Sequence, residues 1–306
     1  MAHTEMNFLE FSSRFCTQEA CLQAIFEKRW PHGFVCPDCD HNDGYRLTTR
    51  PVVECCVCGN QQSITAGTIF ERTRIPLPVW FLIIFDMAQD KGGASALRLS
   101  KRFGVARSTI HNIMHKIREA MGSRDENLTL AGYIELDEAF FGGVSKRVAG
   151  ESPTKNKMQV LVLVESEGKA AGNIVMQLIE GGAPDDIAPV ISQKVDNEPG
   201  GHWFRSDGWG SHHVVMNDGH RINMEIIPHD RLDDELRCAS LAISLAKRFF
   251  KGTYHHFCKR YIQRYLDEFC YRWNRRHLEK QLASHLITAC VLHPAVQYAQ
   301  LKVQAA

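Results

Sequence analysis

Apolar and polar positions change their rhythm along this 306-residue chain, and each change predicts a different kind of element. Residues 79–91, VWFLIIFDMAQDK, are apolar on nearly every side and follow the two prolines of IPLPVW, which predicts a buried helix. In 94–122, ASALRLSKRFGVARSTIHNIMHKIREAMG, Gly104 ends a short helix and Ser108 is placed to cap the next. There Ile110, Ile113, Met114, Ile117 and Met121 fall on one helical stripe. Arg107, His111, Asn112, His115 and Lys116 lie opposite, as a helix reading a DNA groove from its N-terminal half requires. From Tyr133 the rhythm shortens. YIELDEAFFGG, MQVLVLVES, NIVMQLIE and HWFRSDGW are short runs rich in Val, Ile, Leu and Phe, and predict strands of a mixed sheet. Helical spacing returns in ELRCASLAISLAKRFF and in YIQRYLDEFCYRWNRR, where Tyr261, Tyr265, Phe269 and Trp273 recur every four residues as a core-facing stripe. KRVAGESPTKNK, at 146–157, reads as a hairpin or loop.

Near the N-terminus the cysteines carry the chemistry. Cys36 and Cys39 form one CxxC and Cys55 and Cys58 another, fifteen residues apart. This is zinc-ribbon spacing: each tight turn offers two thiolates, and two turns complete a tetrahedron around one structural ion. Cys56 would break the spacing and is left out. DGYRLTT and VVEC predict the short strands that bring the turns together.

A net charge of +1 hides an uneven distribution. Lys91 to Arg124 holds eight Lys and Arg against one acid, and Arg237 to Arg276 holds ten against two. Two basic blocks in a nearly neutral chain point to a polyanion. Among the second block, Arg248, Arg260, Arg264, Arg272, Arg275 and Arg276 are candidate phosphate contacts, and His255–His256 reads as surface or phosphate-contacting. No export signal is visible in MAHTEMNFLE, and the apolar run at 79–85 is far shorter than the ~20 residues a membrane span needs. The expectation is therefore a cytoplasmic protein without membrane contact.

Two aspartates close predicted strands: Asp137 before FFGG, and Asp207 between HWFRS and GWG. Converging at one sheet edge, such a pair binds Mg²⁺ or Mn²⁺ for phosphodiester chemistry; as isolated residues they are ordinary turn formers.

The order of FVCPDC, VECCVCGNQQSITAGTIFERTRIPL, LDEAFFGG, SDGWG and FFKGTYHH…YIQRYLDEFCYRWNRR resembles bacterial insertion-sequence transposases that couple a zinc ribbon to a DDE-type (ISXO-type) domain, over about Phe15 to Arg276. The resemblance implies an α+β multidomain chain. Its parts would be an N-terminal region 1–70 with a zinc ribbon at about 14–62, a helix-turn-helix unit at 76–125, an RNase H-like α/β domain with a mixed sheet at 128–280, and a helical tail at 281–306. It implies cutting and joining of double-stranded DNA at terminal inverted repeats and target sites, by a homo-oligomer on paired ends, in a nucleoid-associated bacterial protein. Asp137 matches the first catalytic aspartate and Asp207 the second, 70 residues on. The family then places a third ligand on a helix, with a lysine two turns beyond it. Here Lys247 is present, and Ser240 occupies the ligand slot, 33 residues after Asp207. Glu235 is the nearest acid; on a continuous helix it points ~140° away. A serine hydroxyl is a poor ligand for a hard dication. Two readings follow: a working transposase, or a catalytically degenerate copy acting only as a sequence-specific DNA-binding protein or regulator.

Overall fold

The computed structural model describes residues 6–142, 157–168, 170–195, 202–208, 211–212, 223–254 and 259–303. In chain order, helices α1 (Phe8–Arg14) and α2 (Gln18–Arg29) precede strands β1 (Gly44–Arg46), β2 (Val52–Cys55) and β3 (Gln61–Ser63). Helices α3 (Leu77–Gln89), α4 (Ala96–Phe103) and α5 (Arg107–Arg124) follow. Next come β4 (Tyr133–Phe141), β5 (Met158–Glu167), β6 (Ala170–Ile179), α6 (Pro184–Lys194), β7 (Trp203–Ser206) and β8 (Asn223–Ile226). The chain closes with α7 (Leu232–Glu235), α8 (Arg237–Thr253), α9 (Lys259–Asn274), α10 (Leu282–Leu292) and α11 (Tyr298–Val303). These elements form two units, one drawn from residues 1–124 and 277–304, the other from 125–276.

In the first unit, α1 opens on a capping box: Asn7 Oδ1 accepts from Glu10 N at 3.0 Å, and Glu10 Oε2 accepts from Asn7 N at 2.9 Å. The prolines of IPLPVW start α3 rather than precede it. Pro76 is its N-cap and Pro78 sits in its first turn, where a missing N–H costs nothing. Leu77, Trp80, Phe81, Ile83, Ile84 and Met87 are all buried, so α3 is covered around most of its circumference. Gly104 adopts a left-handed φ of 65° between α4 and α5, the backbone a helix-ending turn needs. Ser108 is not the cap of α5, because the helix already begins at Arg107 and Ile110 N bonds to Ala106 O. Residues 281–306, expected as a helical tail, supply α10 and α11: α10 packs on α2, α3 and α5, and α11 on α5. Leu282, Leu286, Ile287, Cys290 and Val291 are the residues it buries, and burial of that apolar stripe is what holds it there.

The second unit is built on a five-stranded sheet in the order β6-β5-β4-β7-β8. β4, β5 and β6 form an antiparallel meander, while β7 and β8 run parallel to β4. This is the RNase H-like arrangement. The sheet is covered on both faces, which explains why β5 reads as a nearly continuous apolar run rather than an alternating one. One face carries Ala139, Phe141, Val160, Val162, Val164, Ile174 and Met176 against α8 and α9. The other carries Ile134, Leu136, Leu161, Leu163, Val175 and Phe204 against α6. Tyr265 belongs to the first core, with Tyr261, Phe269 and Trp273 packed against it, so the aromatic stripe of α9 is a core element. Asp125, the first residue of this unit, is tied to its last turn: Arg275 bonds Asp125 at 2.6 Å and Asn274 Nδ2 at 3.4 Å.

Candidate active site

In the ribbon, β1, β2 and β3 form an antiparallel sheet that presents the two CxxC turns to each other. The sulfurs of Cys36 and Cys58 lie 3.5 Å apart, those of Cys39 and Cys55 3.6 Å, and those of Cys39 and Cys58 3.4 Å. All four lie within 4.8 Å of one another. Four thiolates ~2.3 Å from a tetrahedral zinc would be spaced in this way. The backbone amides of Cys58 and Val57 hold the Cys55 thiolate and bring its pKa down to about 6, so one ligand is ready to bind at neutral pH. Cys56 is exposed and outside the cluster, as its position requires.

The groove-facing set on α5 is divided by burial. Arg107 and Ser108 are exposed, and His111 and Asn112 are half-buried. His115 is 1% exposed, with its Nε2 3.1 Å from His111 Nε2. It is a core histidine in this structure and not a DNA contact, because α5 is covered along its second half. Lys116 is half-buried too, and desolvation lowers its ammonium pKa. The open parts of α5 are its first turn and its last two residues, Ser123 and Arg124. The basic surplus of this block is also partly paired. Arg98 bonds Asp90 and Arg102 bonds Asp86, each at 2.6 Å, and both acids lie just upstream of the stretch that was counted.

In the second unit Asp137 projects from β4 on the α8 side, by alternation with Ala139 and Phe141. β7 is in parallel register with β4, Leu136 opposite Ser206, so the next step along both strands sets Asp207 beside Asp137. Gly208 then turns the chain at φ 78°; a Cβ there would lie 2.5 Å from Ile226 of β8. Burial pushes the Asp137 carboxyl up to about 6, against the hydrogen bond it accepts from Glu138 N, and the neighbouring Asp207 charge pushes in the same direction. Two crowded carboxylates, one of them desolvated, form a donor set that suits a hard divalent cation.

Two groups the sequence reading passed over bear on this pair. Glu135, 2% exposed and two residues before Asp137 on the same strand face, accepts from Ala239 N at 2.8 Å. It thereby satisfies an amide in the first turn of α8, which has no side-chain cap of its own. That contact sets Ser240, the next residue, at the level of β4 residues 135–137. The signal for Glu135 was an acid sharing the parity of Asp137 within YIELDE. His212, fully buried, lies against Ser206, Asp207 and Glu138; its signal was a histidine five residues past Asp207.

Ser240 is half-buried in a regular turn of α8, its N–H bonded to Leu236 O at 3.0 Å. Lys247 is exposed two turns on. The α7–α8 boundary breaks at Leu236 (φ −100°, ψ 40°), so the ~140° offset computed for Glu235 on a continuous helix does not apply. Glu235 is instead ion-paired with Arg231. Arg237, Leu241, Ser244, Lys247, Arg248 and Lys251 form the open face of α8, which contains no acid. Arg264 is 2% exposed with its guanidinium 5.7 Å from the Tyr261 ring centroid, and so is not a phosphate contact. His255–His256 and residues 146–156 lie outside the described residues.

A family profile described as ISXO2-like transposase domain matches residues 129–274, and one described as transposase zinc-ribbon domain matches 16–61. Together they span more than half of the chain. It carries an ISXO2-like transposase domain and a transposase zinc ribbon. The ISXO2-like domain thus coincides with the unit that carries Asp137, Asp207 and α8. A curated relative, an uncharacterized protein in transposable element ISH50 of Halobacterium salinarum, is 21% identical over 146 residues, covering 47% of this chain and 48% of that protein. The chain therefore spans about half the length of that relative. Among solved structures, the Mos1 strand transfer complex is similar at 11% identity and a TM-score of 0.27, over 69% of this chain and 78% of that one. The Mos1 mariner paired end complex with Mn is similar at 11% and 0.25, over 73% and 82%. Among the described residues, no helix is long and apolar enough to cross a membrane.

Proposed function

We propose that this chain is the DNA transposase of an insertion sequence, cutting and joining double-stranded DNA at the element's inverted repeats as a homo-oligomer on paired ends. The observation that carries the reading is the pair Asp137 and Asp207 on adjacent parallel strands of an RNase H-ordered sheet, on the sheet face that α8 covers. The cofactors are a structural zinc on Cys36, Cys39, Cys55 and Cys58, and Mg²⁺ or Mn²⁺ on Asp137 and Asp207. Bound divalent ions supply charge stabilisation for phosphodiester displacement. The chain's own residues do the rest. Lys247 and Arg248 on the open face of α8 hold the phosphate backbone near the aspartates, and the N-terminal part of α5, with exposed Arg107 and half-buried His111 and Asn112, engages the element's ends. The protein works in the bacterial cytoplasm, at the nucleoid.

Ser240 bears on rate rather than on the type of reaction. Neither nearby acid replaces the missing carboxylate, since Glu135 is committed to Ala239 N and Glu235 to Arg231. The parent is therefore a slow enzyme, and Ser240→Glu is expected to raise Mn²⁺-dependent cleavage of end-containing DNA at least about tenfold, ~1.4 kcal/mol of barrier. Asp137→Ala in that background abolishes cleavage, and Glu235→Gln leaves it unchanged. Cleavage that survives Asp137→Ala would sink the reading, and loss of cleavage in Glu235→Gln would move the third position to Glu235.

A further inference from the structure

The side of β4 opposite Asp137 holds a buried polar cluster that the proposed chemistry does not use. His212 is 0% exposed and the Glu138 side chain 8%. Toward β7, His212 Nδ1 is hydrogen-bonded to Ser206 Oγ and lies 3.4 Å from Asp207 Oδ1. Toward β4, its Nε2 lies 3.5 Å from Glu138 Oε1, and among the described residues neither of these two buried atoms has a hydrogen-bond partner. The Ser206 hydroxyl also lies 3.4 Å from Asp207 Oδ1 and accepts from Gly208 N at 3.2 Å. One imidazole therefore touches Asp207 itself and, on the other strand, the residue next to Asp137.

Burying such polar groups is costly, and an apolar residue on the α6 side would pack at less expense. The cluster does something packing alone would not. It ties the end of β7, beyond which hydrogen bonding to β4 stops at Ser206, to β4 at the height of the two carboxylates. Ion binding tolerates ligand displacements of only ~0.5 Å, and groups that fix ligand orientation are worth ~10–100-fold in metal affinity. We propose that His212 is a positioning residue for the Asp137–Asp207 pair, bridging Ser206 and Asp207 on one side and Glu138 on the other. The proposal rests on the reading of that pair as a divalent-metal site.

The test is Mn²⁺ affinity of the zinc-loaded full-length protein, followed by the paramagnetic resonance of free Mn²⁺, alongside the melting temperature without Mn²⁺. Asparagine can lie near the Nδ1 side but cannot reach Glu138. His212→Asn is expected to bind Mn²⁺ about tenfold more weakly while melting as the parent does. Where His212→Asn does not fold, Ser206→Ala decides, with about a threefold loss expected from the single missing hydroxyl. Parent-like affinity in the variant that folds overturns the proposal, as does a loss of affinity matched by melting below the assay temperature. Asp137→Ala separates the two levels. If it binds Mn²⁺ as the parent does, the metal reading itself fails; if it loses Mn²⁺ while His212→Asn does not, only the positioning role fails.

Discussion

Asp137 is held in a state that favours its proton. Burial raises its pKa to about 6, chiefly by desolvation and in part through the charge of Asp207. A carboxyl whose folded-state pKa is raised stabilises the fold fully below its unfolded value and loses that contribution as pH rises through the folded value. Without added Mg²⁺ or Mn²⁺, stability is therefore expected to fall by on the order of 3 kcal/mol between about pH 4 and pH 6.5. Thermal melts across that range check this, with Asp137→Asn as the control that lacks the fall. Added Mn²⁺ should reverse the loss above pH 6, since the cation takes the proton's place. Asp137 and Asp207 were both expected at strand ends; Asp207 does follow the end of β7 and precede Gly208, but Asp137 lies in the middle of β4, because β4 stays paired with β5 as far as Phe141. Glu135 was passed over because its partner Ala239 is 104 residues away, and parity shared with Asp137 does not by itself tell a buried carboxylate from a solvated one. The same holds for Arg264 and His115: a cation on a basic helix reads as exposed until the element that covers it is known.

At the level of elements, the periods that announced α3, α5 and the strands β4, β5 and β6 come from apolar residues facing a core, and burial made them easy to read. β3, β8 and α6 were not anticipated. β3 and β8 hold three and four residues, too few to show a period, and α6 carries Pro189 inside it and buries only Ile187 and Ile191. For α5 the period gave the stripe but not the extent of cover, and this changes which side chains should matter for DNA. Arg107→Ala is expected to weaken binding across all sequences and to lower the salt slope by about one. Lys116→Ala should leave the slope unchanged, because that ammonium is half-buried and already short of solvent. Salt-dependent binding measured for the two single variants distinguishes them; an equal loss of slope in both would restore the whole face to the DNA.

Across the whole molecule, the unit from 125–276 interrupts the other one in the chain, entering and leaving at the Asp125–Arg275 pair. No hydrophobic period reports such a division, which is why 281–306 was read as a tail and 277–280 as the end of the catalytic domain. α10 buries Leu282, Leu286, Ile287 and Val291, and at roughly 1.5–3 kcal/mol per large apolar side chain this rivals the ~5–15 kcal/mol stability of a whole domain. A fragment of residues 1–124 is therefore expected to melt without a cooperative transition, and joining 277–304 to it through a flexible linker should restore one; calorimetry of the two fragments is the measurement. On the ribosome, which releases the chain from its N-terminus at ~5–20 residues per second, the helices around α3 must wait for residues 277–304. A premature stop codon anywhere in the interrupting segment would then yield no folded repressor that occupies the element's ends. Nonsense mutants of this gene should be silent rather than dominant over an intact copy.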